Sequence, residues 1–372
     1  MRDITLILLA AGSSTRFESL VKKQWIYIDD EPLWLFVANQ FKKYNFNKTI
    51  VVTSKKEMHA MKKFAEFTYV EGGNSRQTSL QNALISVESP YVLVTDVARC
   101  CIDHEMIERI LNQKGEADCI VPAITPVDTI YYDNTNIDRD SVKLIQTPQL
   151  SVTQILKQAL CASKEFTDES SAIVAQKGKI KFVAGSQKAT KLTTKDDLKK
   201  LNCLQRTAKK NLIGFGIDTH QFESGKKMFL GGITIESEFG FKAHSDGDVL
   251  IHSIIDALLG ASALGDIGEF FPDNDSAFKN IDSTVLLQEV VTMINEFGFE
   301  IVNIDTTIVA QKPKISGYKD AICAQLSKIM GLEQRFINIK ATTSEKMGFI
   351  GRSEGISVHS VANITYRDWS TL

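Results

Sequence analysis

Three residues between positions 218 and 252 have the types and spacing of a metal site. Asp218 and His220 are two residues apart behind a short apolar stretch at 213–217, and His252 follows 32 residues later. The stretch predicts a short strand, so both side chains project from its end on one side. One carboxylate and two imidazoles leave a fourth tetrahedral position free, as a catalytic zinc requires.

A helix is predicted to carry the second imidazole. Apolar residues recur at helical spacing after a start signal at Asp248, which puts Asp248, His252 and Asp256 on one face. Asp256, one turn after His252, is predicted to accept the other ring N–H and fix the tautomer. A lone histidine on an apolar helix is more often packed or solvated, and a D-x-H pair alone is weak evidence for a metal.

Length and charge indicate two domains. The chain has 372 residues, more than one domain usually holds. Residues 1–210 contain 30 basic and 24 acidic residues, a net charge of +6, whereas residues 211–372 contain 13 and 21, a net charge of −8. The basic half suits a small anion such as a nucleoside triphosphate, and the acidic half favours cations over nucleic acid.

The remaining composition predicts a cytoplasmic protein. No apolar run reaches about 18 residues, and residues 1–11 are too short for a signal peptide, so we expect no membrane association. The six cysteines show no C-x-x-C spacing, and we interpret all of them as reduced, buried thiols.

The chain begins with features typical of a phosphate site. Residues 4–11 form an apolar run that ends in the loop GSSTRF, which predicts a buried parallel strand feeding a small-residue loop. Backbone N–H groups of such a loop, with Gly12 among the candidates, can face phosphates. Arg16 and then Lys23 are cations that can reach over a triphosphate held there. Neither a Walker loop nor G-x-G-x-x-G is present.

Further apolar runs alternate with helical patterns through the first half. The predicted strands are 49–53, 91–95 and 119–122, and the predicted helices are 33–43, 76–87 and 104–113. This alternation is typical of a doubly wound, Rossmann-like α/β sheet, whose ligands lie beyond the carboxyl ends of the strands. Arg16, Gly73, Asp96 and Arg99 all follow predicted strand ends.

Eight motifs along residues 1–205 resemble 2-C-methyl-D-erythritol 4-phosphate cytidylyltransferase. They are LLAAGSSTRF, KKQW, EGGNSRQTSL, TDVAR, TPVDT, R-x7-TPQ from Arg139 to Gln149, TDESSA and TKLTT. The resemblance implies attack of methylerythritol phosphate on the α-phosphorus of CTP, with release of pyrophosphate. Such a transfer needs positioning and charge neutralisation more than a covalent nucleophile, which agrees with the residue types.

The same resemblance implies residue roles. By position in the motifs these are Arg16, Lys23 and Lys191 at the α-phosphate, Gly73 and Ser79 at the cytidine, Asp96 beside Mg²⁺ or Mn²⁺, and Arg139 and Thr147 on methylerythritol phosphate. In that family the segment with the last two residues reaches into a neighbouring subunit. From Thr193 the text TTKDDLKKLNCLQRTAKK predicts a capped, charged helix that continues to Asn211 without a flexible linker.

The second half contains more candidate binding groups. His244 and Ser245 precede the helix start at Asp248, where N-terminal amides can hold phosphate oxygens. The segment GDIGEFFPDND predicts a turn-rich loop suited to sugar hydroxyls, with Asp266, Gly268, Phe271 and Asp273 as candidates. IDTTIVAQKPK predicts a strand with a lysine loop, and residues 337–366 predict two antiparallel strands around a polar loop.

Residues 211–372 resemble 2-C-methyl-D-erythritol 2,4-cyclodiphosphate synthase, an α+β trimer with active sites between subunits. The resemblance implies that the 2-phosphate of the cytidyl diphosphate derivative attacks the β-phosphorus, expels CMP and closes a cyclodiphosphate. The implied roles are zinc binding by Asp218, His220 and His252, a second divalent cation (Mg²⁺ or Mn²⁺) on Glu345, catalysis by His244 and Thr343, diphosphate and interface contacts by Thr342 and Arg352, and a cytosine frame of Ala310, Lys314, Ile315 and Ala341.

The two resemblances together imply a bifunctional enzyme of the non-mevalonate isoprenoid pathway, with domains expected at 1–208 and 211–372. The expected partners are CTP, methylerythritol phosphate, its cytidyl diphosphate derivative and further copies of the chain. No kinase-type phosphate loop is left for the intermediate step, and association with a separate kinase stays an open expectation. The alternative is a general nucleotide-sugar pyrophosphorylase joined to a structural zinc or oligomerisation module.

Overall fold

A computed structural model describes residues 1–161, 164–243, 246–272 and 281–372. The chain divides into two compact units, one of residues Met1–Arg206 with Asp368–Leu372 and one of residues Thr207–Arg367. The last five residues therefore pack with the first unit, where the Trp369 indole N–H donates to the Gln205 carbonyl. No described helix is both long and apolar enough to cross a membrane.

The first unit is built on a mixed sheet with the strand order β10-β7-β11-β6-β1-β4-β5, and β12 also pairs with β7. Its strands are β1 Ile4–Leu9, β2 Tyr27–Ile28, β3 Glu31–Pro32, β4 Lys48–Thr53, β5 Thr68–Glu71, β6 Tyr91–Asp96, β7 Cys119–Ile124, β8 Ile130–Tyr132, β9 Thr135–Ile137, β10 Leu144–Ile145, β11 Gln149–Val152 and β12 Ile180–Ala184. Its helices are α1 Leu33–Phe41, α2 Lys55–Phe64, α3 Arg76–Ile85, α4 His104–Leu111, α5 Thr153–Leu160 and α6 Glu169–Ala175.

The predicted alternation of strands and helices is confirmed. Strand β1 is almost fully buried and pairs in parallel with β4 and β6, as an apolar run without alternation requires. Strand β11 is antiparallel to both β6 and β7, which a simple alternation pattern does not predict. The carboxyl ends of β1, β4, β5 and β6 lie along one edge, so the loops that follow them come together.

Two expectations for the first unit are wrong. The capped segment after Thr193 is only a 3₁₀ helix, Lys195–Lys200, closed by a capping box between Thr194 and Asp197. The chain leaves helical geometry at Leu201, and Cys203, two residues later, forms a disulfide with Cys101. The cysteines are therefore not all reduced, nor all buried, since Cys161 is exposed.

The second unit has a sheet with the order β16-β13-β19-β17-β18, covered on one face by helices. Its strands are β13 Asn211–Ser224, β14 Met228–Leu230, β15 Ile233–Ile235, β16 Phe239–Phe241, β17 Phe299–Val309, β18 Ile337–Thr342 and β19 Gly355–Tyr366. Its helices are α7 Val249–Ala261, α8 Ile267–Phe270, α9 Ser283–Glu296, α10 Lys319–Met330 and α11 Gly348–Gly351.

Strand β13 is much longer than the five residues predicted. It pairs with β19 without interruption from Asn211 to Gln221, so Asp218 and His220 lie within the strand and not at its end. Two glycines let α7 lie directly on it: a Cβ at Gly214 would come within 2.0 Å of the Ala257 carbonyl, and one at Gly216 within 2.0 Å of the Ser253 carbonyl.

The two predicted strands of residues 337–366 do run antiparallel, but they do not pair with each other. Strand β17 lies between them, parallel to β18 and antiparallel to β19. The carboxyl ends of β17 and β18 are therefore adjacent. This places the loop after Val309 beside the loop after Thr342.

Candidate active sites

The first unit has a cavity of about 500 Å³ at the carboxyl ends of its strands. The loop after β1 lines one side, and the loop before α3 lines another. Most of the sequence-predicted residues meet here: the lining includes Gly12, Arg16, Lys23, Gly73, Ser79, Asp96 and Lys191. A Cβ on Gly12 would meet no protein atom within 4 Å, so internal packing does not require glycine at this position of the cavity wall.

Lys23 is directed into the cavity because its neighbours are anchored in the core. Gln24 and Trp25 are buried, and both side chains donate to Glu57 Oε1, at 2.7 and 2.8 Å. Gln24 also reaches the Gly12 carbonyl at 3.2 Å. The KKQW segment and the glycine loop are thus held together by Glu57, a residue that sequence reasoning missed because it belongs to no motif.

The cavity concentrates positive charge. Burial, together with the nearby charges of Lys191 and Arg16, lowers the pKa of Lys23. Mutual repulsion of this kind is relieved when an anion binds between the cations. The site therefore favours a polyphosphate.

Asp96 is the acidic group of the same site. Its Oδ1 accepts from Arg76 Nε at 3.0 Å, and its Oδ2 accepts from Lys191 Nζ at 2.6 Å. Burial alone would raise the pKa of Asp96, but Arg76 and Lys191 outweigh it and lower the pKa to about 2. Asp96 is therefore an ionised carboxylate at the floor of the cavity.

Arg76 and Glu169 are functional candidates that the sequence did not single out. Arg76 Nη1 donates to Glu169 Oε1 at 2.7 Å, and Glu169 is fully buried. Both lie inside motifs that were noted for other residues, EGGNSRQTSL and TDESSA. A buried carboxylate 93 residues away in sequence thus holds the guanidinium that orients Asp96.

The loop before α3 is closed by Ser79. Its hydroxyl accepts from the Gly73 backbone N–H at 3.0 Å. A side chain on Gly73 would lie 2.5 Å from Thr78 Cβ, so glycine is required for this close approach. The predicted cytidine residues thus form one compact turn at the cavity wall.

The two residues expected on methylerythritol phosphate are separated from each other. Thr147 is buried beneath Asp96, where its Oγ1 accepts from the Asp96 backbone N–H at 3.4 Å. Arg139 is exposed and donates to the Val127 carbonyl at 2.6 Å. Among the described residues that line the cavity, neither of the two is present.

The second unit brings Asp218, His220 and His252 together as predicted. One ligand atom from each lies within 4.8 Å of the others. The Nδ1 atoms of both histidines lie 3.1 Å from the same oxygen, Asp218 Oδ2. His252 Nδ1 has hydrogen-bond geometry to this oxygen, whereas His220 Nδ1 is buried without a hydrogen bond.

These donors fit a divalent metal. A buried ring nitrogen without a hydrogen bond and a shared carboxylate oxygen form a set that a central cation would satisfy. Burial alone would raise the pKa of Asp218, but the two imidazoles hold it well below its usual range. Burial alone would lower the pKa of His252, but Asp218 and the nearby Asp248 and Asp246 raise it. The pocket therefore carries excess negative charge.

The expected role of Asp256 is wrong. Its Oδ1 accepts from the Ile267 backbone N–H at 2.9 Å and so fixes the start of α8. The second ring nitrogen of His252 instead lies 3.0 Å from the hydroxyl of Ser283. The sequence did not indicate Ser283, which follows His252 by 31 residues and begins another helix.

Outside the Asp218 cluster, the candidates of the second unit that the structure describes fall into two groups, one at the start of α8 and one at the ends of β17 and β18. Asp266 caps α8, ahead of Gly268 and the buried Phe271. His244, Ser245 and Asp273 lie outside the described residues.

The adjacent ends of β17 and β18 form the second group. The Ala310 N–H donates to the Thr342 carbonyl at 3.0 Å, and Ala341 precedes Thr342 in β18. Thr343 Oγ1 donates to Glu345 Oε1 at 2.8 Å. Further along the two loops lie buried Ile315 beside Lys314, and exposed Arg352, which pairs with Glu354. In the described part of the chain, no hydrogen bond joins Glu345 to the Asp218 cluster.

Comparison with known proteins finds a different family model in each half of the chain. The family model of 2-C-methyl-D-erythritol 4-phosphate cytidylyltransferase (IspD) matches residues 4–206, and that of the YgbB family matches residues 212–365. The bifunctional enzyme IspD/IspF of Aliarcobacter butzleri is 54% identical over 371 residues, covering 99% of both chains. The chain belongs to the bifunctional IspD/IspF family.

Other relatives of the IspD/IspF family match over the full length as well. The enzyme of Sulfurovum sp. is 52% identical over 370 residues, again 99% of both chains. The structure of bifunctional IspDF from Campylobacter jejuni superimposes with a TM-score of 0.87 at 45% identity, covering 99% of this chain and 100% of that one.

The chain is accordingly a bifunctional enzyme of the non-mevalonate isoprenoid pathway. Its IspD part is a cytidylyltransferase, which transfers CMP from CTP to 2-C-methyl-D-erythritol 4-phosphate and releases pyrophosphate. Its IspF part is a cyclodiphosphate synthase, which cyclises the phosphorylated cytidyl derivative and releases CMP. Both families depend on metal ions. The alternative of a general pyrophosphorylase with a structural zinc module is set aside.

Proposed function

We propose that residues 1–208 and 211–372 perform the two reactions independently, each with its own charged residues and metal. One observation supports this division: each compact unit contains its own cluster of charged residues, and each cluster is formed by residues of that unit. The cation-lined cavity suits the first reaction, and the Asp218 cluster suits the second.

In the first reaction, Arg16, Lys23 and Lys191 hold the α-phosphate of CTP, and Gly73 and Ser79 hold the cytidine. Gly12 presents its backbone to the phosphates. The oxygen of methylerythritol phosphate attacks the α-phosphorus while pyrophosphate leaves, and the three cations stabilise the charge that develops. The 2.6 Å approach of Lys191 to Asp96 supports this arrangement, because a cation held at the cavity floor is already in position for a phosphate.

Asp96 is the proposed ligand of Mg²⁺ or Mn²⁺ in this cavity. A divalent cation there would neutralise phosphate charge, as in other phosphoryl transfers. Arg139 and Thr147 bind methylerythritol phosphate, with Arg139 acting on the cavity of a neighbouring subunit. Its exposed position, away from the cavity of its own chain, supports this exchange.

In the second reaction, Asp218, His220 and His252 bind zinc, which supplies Lewis-acid polarisation of a phosphate oxygen. The 2-phosphate attacks the β-phosphorus and CMP leaves, with His244, Ser245 and Thr343 orienting the phosphates. Asp266, Gly268, Phe271 and Asp273 hold the sugar. Glu345 carries the second divalent cation, Thr342 and Arg352 contact the diphosphate, and Ala310, Lys314, Ile315 and Ala341 frame the cytosine.

The second unit is proposed to work as a trimer with its sites between subunits. On β13 the residues alternate, so Asp218 and His220 face α7 while Ile213, Phe215 and Ile217 face outward. These three apolar side chains are 70%, 60% and 52% exposed. A row of this kind on a paired strand is suited to burial against another copy of the chain.

Product release tests the assignments. The protein is incubated with CTP, Mg²⁺ and either methylerythritol phosphate or hexose 1-phosphates, and pyrophosphate is measured. The proposal predicts turnover of methylerythritol phosphate. It is contradicted by turnover of the hexoses alone. CMP release from the phosphorylated cytidyl derivative tests the second site, and a protein that binds zinc without releasing CMP would refute its assignment.

A further inference from the structure

The environment of His252 identifies two residues that act behind the metal ligands. The ring faces Asp218 with Nδ1, at 3.1 Å, and faces Ser283 with Nε2, at 3.0 Å. Ser283 is fully buried and is the first residue of α9. Its hydroxyl also contacts Asp246, which lies just before α7. A chain of hydrogen bonds therefore runs from the candidate metal site to a carboxylate behind it.

The direction of these hydrogen bonds fixes the tautomer of His252. A serine hydroxyl has one hydrogen, and an ionised carboxylate only accepts, so Ser283 donates its hydrogen to Asp246 Oδ1. The hydroxyl can then only accept from His252. Nε2 must therefore carry a hydrogen, which makes Nδ1, on the Asp218 side of the ring, the nitrogen left to bind a metal.

Asp246 is itself held in place by backbone groups of two helix starts. Its Oδ2 accepts from the Ser283 backbone N–H at 3.1 Å, and its Oδ1 accepts from the Asp248 N–H at 3.2 Å. The start of α9 is thereby tied to the start of α7, the helix that carries His252. The carboxylate cannot rotate away without losing both contacts, so the hydroxyl of Ser283 has a defined orientation.

We propose that Ser283 and Asp246 are positioning residues, which hold His252 in the Nε2–H tautomer and aim Nδ1 at a divalent metal. This inference rests on the proposed zinc site. Partners behind a metal-bound histidine orient the ring and raise its basicity, and their loss costs about 10- to 100-fold in metal affinity. Asp256, which the sequence favoured for this role, is committed to the Ile267 N–H.

Zinc affinity measured by competition with a chromogenic chelator tests the proposal. Ser283→Ala and Asp246→Asn should each weaken zinc binding by about 10- to 100-fold. Asp256→Asn is the matched control, and its zinc affinity should equal that of the wild type. Ser283→Thr, which keeps the hydroxyl, should restore most of the affinity. Pyrophosphate release by the first unit and the circular dichroism spectrum confirm that each variant is folded.

A second measurement separates positioning from support of the fold. Nitrogen-15 NMR of the histidine rings in the zinc-loaded protein should show His252 protonated at Nε2 and bound through Nδ1. With six histidines in the chain, His252→Ala identifies the signal. Binding through Nε2 would overturn the proposal, and so would unchanged zinc affinity in a folded Ser283→Ala protein.

Different results refute the proposed metal site and the positioning role of Ser283. If the wild type binds no zinc and His252→Ala changes nothing, the proposed metal site falls and the inference falls with it. If the wild type binds zinc, His252→Ala abolishes binding and Ser283→Ala has no effect, only the inference is refuted.

Discussion

At the level of single residues, the pairing of opposite charges determines the electrostatic character of the cavity in the first unit. Asp96 neutralises part of the positive charge while the site is free of phosphate, since both of its oxygens are bonded to cations. Arg76 stays on Asp96 because Glu169 holds it from behind. Lys191 lines the cavity, so a phosphate bound there can contact its ammonium group.

Asp96 should make the first unit sensitive to acid. Its pKa is lowered to about 2 in the folded protein, from an ordinary value of 3.8. The stabilisation is therefore fully present above pH 3.8 and is lost as pH falls towards 2, by roughly 2 kcal/mol in total. The three tryptophans, at 25, 34 and 369, all belong to the first unit, so urea unfolding followed by tryptophan fluorescence reports on it alone.

The control for the acid prediction is Asp96→Asn. This variant lacks the titrating group, so its unfolding free energy should depend less steeply on pH between 4 and 2 than that of the wild type. Slopes are compared, because the substitution also removes the partner of Arg76 at neutral pH. Equal slopes would show that Asp96 is not the group responsible.

Residue type and spacing predicted the proximity of some side chains but not of others. Asp218, His220 and His252 were recognised by residue type and spacing, and the structure brings them together. Asp256 was misassigned because helical spacing shows which residues share a face but not which neighbour engages each of them first. Ser283 and Glu57 were missed because their partners are remote in sequence and their types carry no signature.

Among the secondary-structure elements, the contact of β13 with α7 brings the three candidate metal ligands together. Strand β13 supplies Asp218 and His220, helix α7 supplies His252, and two glycines permit the close packing between them. The motif GFGIDTH thus encodes both ligands and the contact that positions the third. The alternation of glycine with apolar residues is present in the sequence. Which of these residues are buried or exposed depends on which face of the strand the helix covers, and the sequence does not show this.

Gly216→Ala should displace α7 and weaken metal binding. The new Cβ would lie 2.0 Å from the Ser253 carbonyl and 2.7 Å from the Ala257 nitrogen, and backbone atoms of a packed helix cannot yield locally. Overpacking of this kind costs about 1–3 kcal/mol. The amount of zinc bound per chain should fall. The midpoint urea concentration of unfolding, followed by circular dichroism, should fall as well. Gly317→Ala is the control, since its Cβ would meet no atom within 4 Å; an equal loss there would contradict the account.

The disulfide joins the loop after β6 to the segment after the 3₁₀ helix Lys195–Lys200. Cys101 and Cys203 are 102 residues apart, and closing a loop of that length destabilises the unfolded chain by about 5 kcal/mol in the entropic model. Spacing alone did not predict the pair, because neither cysteine lies in a recognisable framework.

Reducing agent should therefore lower the midpoint of tryptophan-detected unfolding. Cys203→Ser should show the lower midpoint with or without reductant. Cys161→Ser, which removes an exposed thiol that forms no disulfide, should behave like the wild type. A wild-type midpoint that does not respond to reductant would refute a stabilising role for the bond.

In the whole molecule, the difference in net charge between the two halves of the sequence matches the kind of charged cluster that each half forms. The basic half forms the cation-lined cavity for a nucleotide, and the acidic half forms the cluster that suits a metal. The fold class of the first half followed from strand and helix alternation. The packing of the last five residues with the first unit did not, because no composition signal marks such a return of the chain.

Pyrophosphate release and CMP release, measured on the same variant, decide whether the two sites work independently. His252→Ala should lose CMP release by roughly a thousandfold, the several kcal/mol that a Lewis-acid metal contributes, while pyrophosphate release stays at the wild-type rate. Arg16→Ala should show the reverse. If a folded His252→Ala protein lost both activities in parallel, the two sites would not be independent and the account would be contradicted.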